Sequence, residues 1–253
     1  MFDPFSEEGK DTRNPIRHTQ QPVIVSSSVL GVVYKDGVML ASDTLASYGS
    51  GLSRFRDIER LKPVGEYTVV GASGDNSDFQ YITHTLEGVT TEEYDWDDGH
   101  KLGPKNVFEY LHRLMYGRRN KMNPLWNSLV VGGLKKGEKY VFLIGSIKFV
   151  RFLGYIDLKG TTYQSEAIAT GFGSYLAIPL LRKATENGRY KTLSEQDAKK
   201  LLEDCLRVLW YRDATANNKI QVATINEQGV SVSAPYKLDT EWGFAEHIRG
   251  YGA

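Results

Sequence analysis

The sequence is poor in the features that most quickly narrow a function. One cysteine, Cys205, occurs in 253 residues, which excludes an internal disulfide framework and fits a reducing compartment. Net charge is zero, 31 basic side chains against 31 acidic, so bulk electrostatics draw the chain neither to nucleic acid nor to an anionic membrane. No apolar run approaches the roughly 18 residues of a bilayer span, and residues 1–20 lack the apolar stretch of a signal peptide. The expected location is cytoplasm and nucleus, with no nucleic acid and no membrane among the partners. A Gly-x-Ser-x-Gly elbow is missing, and Asp95-Trp96-Asp97-Asp98-Gly99-His100 lacks the alternating ligands of a calcium loop. Gly171-Phe172-Gly173 opens a helix as a dinucleotide fingerprint does, but a further helix follows it and Lys191 stands where an acid is needed. No metal and no cofactor are expected.

What the chain does have is strand-forming sequence at its start. Val29, Val33 and Tyr34, then Val38 to Ala41, flank Lys35-Asp36-Gly37, a hairpin signal, and the second run ends in Asp43. A carboxylate at a strand end beside a turn either caps that turn or belongs to a site. Residues 1–22 carry no periodicity and read as disordered or extended. Short strands continue to Ala72. Ser73-Gly74-Asp75 then caps a helix to about Glu93, with Phe79, Ile82 and Leu86 on one face. Pro104 starts a second helix that ends in the basic cluster Arg118 to Lys121.

Strands follow at Trp126–Gly132, Lys139–Ile144, Phe149–Ile156 and Thr162–Ala169. A third helix from Gly171 is expected to kink at Pro179, and a fourth is capped by Ser194 with Asp197 as the acid of a capping box. Cys205 falls on the apolar stripe of that fourth helix, where a buried, inert thiol is expected. Ile220–Ile225 and Gly229–Ser233 make a closing hairpin, and the last 18 residues, from Pro235, hold aromatic residues among charges. One α+β domain is expected, antiparallel sheet covered by helices.

These elements together resemble a known family. The hairpin ending in Asp43, the helix starts at Ser73-Gly74-Asp75 and Gly171-Phe172-Gly173, and the helix end Tyr211-Arg212-Asp213-Ala214 are similar to those of proteasome β-type subunits over nearly the whole chain. Lys121-Met122-Asn123-Pro124-Leu125-Trp126-Asn127 is most similar to the eukaryotic β7 branch, the type-4 β chains. The resemblance implies a four-layer αββα sandwich of the N-terminal-nucleophile hydrolase type. It also implies assembly with other α and β subunits into a 28-chain 20S proteasome core, in ubiquitin-dependent proteolysis.

Active members of that family use an N-terminal Thr, freed after a Gly, whose own amine serves as base. Carried over by position, the nucleophile falls on Ser27, preceded by Ser26 instead of Gly. The tuning Asp falls on Asp43 and the supporting Asp on Asp213. The Lys falls on Arg60, or on Glu59 if the preceding loop has no inserted residue, and the two supporting Ser positions fall on Phe172 and Ala216. The resemblance therefore implies a catalytically inactive, structural subunit; the alternative is an active threonine- or serine-type peptidase working through Ser27 or Thr19. It further implies a leader, residues 1–18, cut between His18 and Thr19, a β-type domain over 19–237, and a tail over 238–253. In that tail Trp242, Phe244, Ile248 and Tyr251 are expected to be interface anchors on neighbouring subunits. About ten residues around Val141 to Val150 are extra relative to the family, either an inserted apolar hairpin or a translated intron.

Overall fold

The computed structural model describes residues 22–49, 51–96, 101–136 and 149–243. In chain order these form β1 (Ile24–Ser26), β2 (Val29–Tyr34), β3 (Gly37–Asp43), β4 (Ala46–Tyr48), β5 (Leu52–Phe55), β6 (Leu61–Pro63) and β7 (Thr68–Asp75), then helices α1 (Asn76–Trp96) and α2 (Pro104–Asn120). After them come β8 (Asn127–Lys136), β9 (Phe149–Ile156), β10 (Thr162–Gln164) and β11 (Ala167–Ala169), helices α3 (Gly173–Leu176), α4 (Ile178–Thr185) and α5 (Glu195–Arg212), and β12 (Lys219–Asn226), β13 (Gly229–Val232) and β14 (Tyr236–Lys237).

Two antiparallel sheets result. One runs β10-β9-β8-β7-β1-β4-β5 with β6 on β7, and the other β11-β2-β3-β12-β13 with β14 on β12. β2 and β3 are buried at every position, because their alternate side chains enter two different cores. Leu30, Val32, Tyr34, Met39 and Ala41 pack with α4 and α5 residues such as Leu181, Leu202 and Leu206. Val29, Val33, Val38 and Leu40 instead meet Val69, Val130 and Leu153 of the other sheet. That second sheet turns Val70, Ala72, Leu129 and Val131 outward onto Phe79, Ile82, Leu111 and Leu114 of α1 and α2. Helices, sheet, sheet, helices is therefore the layering, and the central strands are apolar without alternation because neither face meets water.

Local signals explain the element ends. Asp75 Oδ1 accepts from the amides of Ser77 and Asp78, 2.8 and 3.1 Å away, capping α1. The Ser194 hydroxyl accepts from Asp197 N at 3.1 Å and itself lies 2.7 Å from the Asp197 carboxylate, so the acid bonds the cap side chain and not its amide. In the β2–β3 hairpin Tyr34 pairs with Gly37. The glycine serves packing there: a Cβ on Gly37 would lie 2.0 Å from the Ile225 carbonyl oxygen.

The structure differs from the sequence reading at three places. The helix expected to kink at Pro179 is two helices, α3 and α4. Proline lacks the N–H for the i−4 bond and clashes with that carbonyl, so it sits in the first turn of α4. The single strand expected over Thr162–Ala169 is divided, β10 pairing with β9 in one sheet and β11 with β2 in the other. The chain crosses between sheets at Ser165 and Glu166, where the exposed polar run gives way to the buried Ala167-Ile168-Ala169. Between the stretch 1–22, read as disordered or extended, and the opening hairpin no strand is expected, yet Ile24–Ser26 form the paired strand β1. The strand expected over Lys139–Ile144, with most of the extra segment around it, lies outside the described residues.

Cys205 is fully buried, and burial pushes its thiol up to about 12. The folded chain should resist iodoacetamide at about pH 8 and react only after unfolding, read by intact mass.

Candidate functional site

The candidate site forms where the starts and ends of the inner strands meet. Ser27 follows β1, Asp43 ends β3, Arg60 precedes β6 and Asp213 follows α5 as its cap residue. Ser27 and Asp213 are 186 residues apart in sequence, yet the Ser27 hydroxyl donates to Asp213 Oδ2 at 2.5 Å. The same carboxylate accepts from Thr215 N at 2.9 Å and from the Thr215 hydroxyl at 2.7 Å.

Arg60 is 1% exposed and carries the densest set of bonds in the cluster. Its Nε and one terminal nitrogen donate to the Ala72 carbonyl at 3.2 and 3.1 Å. Its other terminal nitrogen pairs with the Asp43 carboxylate, and the nitrogen on Ala72 also bonds the Ser27 carbonyl. One guanidinium thus joins Asp43 of the six-stranded sheet to Ala72 of the eight-stranded sheet, and holds the carbonyl of Ser27 in the link that runs from one sheet to the other. The second Asp43 oxygen accepts from Asn217 N at 2.9 Å. Burial raises the Asp43 carboxyl, to about 6, against the downward pull of Arg60 and the Asn217 amide. Of the two positions left open for the lysine, Arg60 is inside the cluster, whereas Glu59 is exposed and pairs with Lys62 at 2.9 Å.

The remaining positions sit around this centre. Phe172 is 57% exposed at the start of α3 and lines a cavity of about 520 Å³ with Ser27, Ser73, Asn127, Ser128 and Thr215. Ala216 is buried, its amide on the Asp213 carbonyl at 3.1 Å. Three contributors had no signal in the sequence reading. The Ser28 hydroxyl accepts from Gly173 N at 2.9 Å, Thr170 Oγ1 accepts from Val29 N at 2.8 Å, and Asp75 Oδ2 accepts from Val23 N at 3.2 Å. Only the run of small hydroxyl residues at Ser26-Ser27-Ser28 hinted at such local bonding.

The strand before Ser27 is held on both sides. β1 pairs antiparallel with β4, Ile24 to Tyr48 and Ser26 to Ala46, and with β7, Ser26 to Gly74. Ser27 nitrogen is therefore a peptide nitrogen in this structure, with no basic lone pair.

A family model described as proteasome subunit matches residues 25–225. A relative from Schizosaccharomyces pombe, probable proteasome subunit beta type-7, is 45% identical over 252 residues, covering 100% of this chain and 92% of its own. The chain belongs to the proteasome β-type subunits. Proteasome subunit beta type-4 from Xenopus laevis is 45% identical over 237 residues, 94% of this chain and 92% of the relative. The beta type-4 subunit from Arabidopsis thaliana is 46% identical over 229 residues, 90% and 86% of the two chains.

In this β-type subunit the cluster fastens β3 to β7 and holds the Ser27 carbonyl through Arg60. A guanidinium does not release its proton to become a base. Among the described residues the one hydrogen-bond partner of the Ser27 hydroxyl is Asp213, whose oxygens are shared with Thr215.

The expected interface residues divide. Trp242 packs edge-on to Tyr211, centroids 4.9 Å apart, and to Trp210 at 6.2 Å. Nearby, Arg207 Nε donates to the Asp239 carbonyl at 2.9 Å, Glu241 N donates to the Tyr211 hydroxyl at 2.8 Å, and Leu238 is buried. The tail begins fastened to α5. Phe244, Ile248 and Tyr251, like His18 and Thr19, lie outside the described residues.

Proposed function

We propose that this β-type subunit is a non-catalytic, structural member of the 20S proteasome core, with an N-terminal-nucleophile-type αββα sandwich that has lost its peptidase chemistry. The observation that carries the proposal is Arg60. Where an active centre needs an amine near the nucleophile, a fully hydrogen-bonded guanidinium ties Ser27, Asp43 and Ala72 together. Phe172 and Ala216 supply no hydroxyl at the two supporting positions.

In this reading residues 1–18 are a leader removed before Thr19, and residues 19–237 form the domain. The tail from 238, with Trp242, Phe244, Ile248 and Tyr251, reaches neighbouring α and β subunits and helps join half-particles for ubiquitin-dependent degradation in cytoplasm and nucleus. Thr19 is not a nucleophile here: it stands eight residues before Ser27 and away from Asp43 in sequence.

The test is a tagged copy purified from cells within its particle and treated with a peptide vinyl sulfone. The expected result is covalent label on other β subunits and none on this one. Label on Ser27 or Thr19 would overturn the proposal and restore the peptidase reading. Native mass spectrometry of the same particle should return a 28-chain assembly whose copy of this subunit starts at Thr19. Because Leu238 is a core residue and Trp242 packs on α5, the tail is best shortened after Gly243; half-particles should then accumulate.

A further inference from the structure

The outer helix layer beside the eight-stranded sheet is incompletely closed. α1 buries Asn76, Phe79, Ile82 and Leu86 and no residue beyond Leu86, so its last ten residues run on past the core. α2 buries residues from Pro104 to Met115. Between the two helices lies a cleft of about 510 Å³, a ligand-sized volume. Its floor is apolar, formed by Val64, Leu86, Val89 and Leu102.

The cleft's rim is cationic. Lys105 and Arg113 stand on α2 and Lys135 on β8, all three exposed. Among the described residues none of them is in an ion pair. The one lining carboxylate, Glu109, lies 4.0 Å from His112. Of the acids on neighbouring segments, Glu93 accepts from the Leu102 amide and Glu66 pairs with Lys101. Among the described residues that line the cleft three cations stand against one carboxylate, in a chain whose net charge is zero.

We propose that this cleft receives a segment of a neighbouring subunit in which an apolar side chain is flanked by carboxylates. The apolar side chain would cover Val64, Leu86 and Val89, and its acids would accept from Lys105, Arg113 and Lys135, Arg113 in the bidentate manner of a guanidinium fork. A nucleic acid would want a basic stripe without an apolar floor. The inference rests on the reading of the chain as one subunit of a larger assembly, and its test separates the two.

The experiment treats particles purified on a tagged copy of this chain with a zero-length carbodiimide, which joins a lysine amine to a carboxylate already paired with it, and maps the linked peptides. Lys105 or Lys135 should be joined to an Asp or Glu of another subunit that lies within a few residues of an apolar side chain. Lysines left unlinked, or linked only within this chain, would overturn the inference, as would protection by bound nucleic acid that nuclease removes. In parallel, the charge-reversed pair Lys105→Glu with Arg113→Glu should lower incorporation into particles about tenfold, while Lys105→Arg, which keeps the charge, assembles normally. Normal incorporation of the reversed pair would also count against the cleft. If the tagged chain purifies with no other subunit at all, the assembly reading fails; if it purifies in particles with these lysines unlinked, only the cleft assignment fails.

Discussion

Arg60→Ala should cost the fold about 3–5 kcal/mol, the penalty for leaving one member of a buried pair alone. The substitution strands the Asp43 carboxylate, 3% exposed, with only backbone donors, and takes donors from the Ala72 and Ser27 carbonyls together. Because the guanidinium links Asp43 in one sheet to Ala72 in the other and to Ser27 in the connection between them, the loss acts on the joint between layers, not on a surface pair.

Two further variants separate charge from geometry. Arg60→Lys keeps the charge but not the planar fork, so one ammonium cannot serve Ala72, Asp43 and Ser27 at once, and it should recover only part of the loss. Arg60→Met with Asp43→Leu removes both charges and should recover more than either single change, which a double-mutant cycle in urea would read directly. Arg60→Lys should also gain no vinyl sulfone label, since Phe172 and Ala216 remain without hydroxyls. A loss below about 1 kcal/mol for Arg60→Ala would mean that the cluster contributes as weakly as an exposed ion pair.

Gly74→Ala should be comparably severe, at about 3 kcal/mol or more, from backbone strain and overlap combined. Gly74 has φ +98°, a conformation that side chains rarely adopt. A Cβ there would lie 2.1 Å from the Trp126 carbonyl oxygen, a backbone atom that already accepts from Asp75 N at 2.9 Å and cannot move aside cheaply. The same residue pairs with Ser26 and with Asn127, so β1, β7 and β8 are all displaced. Hydrogen exchange should report this locally, with protection lost first in β1 and along the Gly74 end of β7. Gly88→Ala is the control. Gly88 lies inside α1 with open space where a Cβ would go, and alanine there should raise stability by up to about 1 kcal/mol. Equal losses for the two variants would remove the case for a special conformation at Gly74.

Much of the scaffold was legible because it is written in short periods. Val29–Tyr34 and residues 38–41 carry no alternation of polar and apolar residues, the mark of strands covered on both faces, and they lie between two cores. Pro104 and Ser194 stand at the helix starts their chemistry favours, and the stripe Ala198, Leu202, Cys205, Leu206 and Leu209 faces the core. β1 was missed because three residues of strand carry too little pattern to stand out beside a polar leader. The crossing at Ser165 and Glu166 was missed because β propensity says nothing about which sheet a strand joins.

The site was legible only in fragments. Asp43 was visible as an acid ending an apolar strand, but whether it capped a turn or belonged to a cluster depended on Arg60, 17 residues on, and Asn217, 174 residues on. The choice between Glu59 and Arg60 depended on which of two adjacent side chains points inward, and a one-residue shift reverses that.

By itself, then, the amino-acid order determined the strands with two buried faces, the caps of the long helices and the resemblance to proteasome β-type subunits, because each is a matter of residue types at short spacing. The tertiary structure alone decided that Arg60 clasps Ser27, Asp43 and Ala72, that β1 lies between β4 and β7, and that α1 and α2 leave a cationic cleft between them. These features are made by groups far apart along the chain, and local sequence cannot encode a distance that only packing sets.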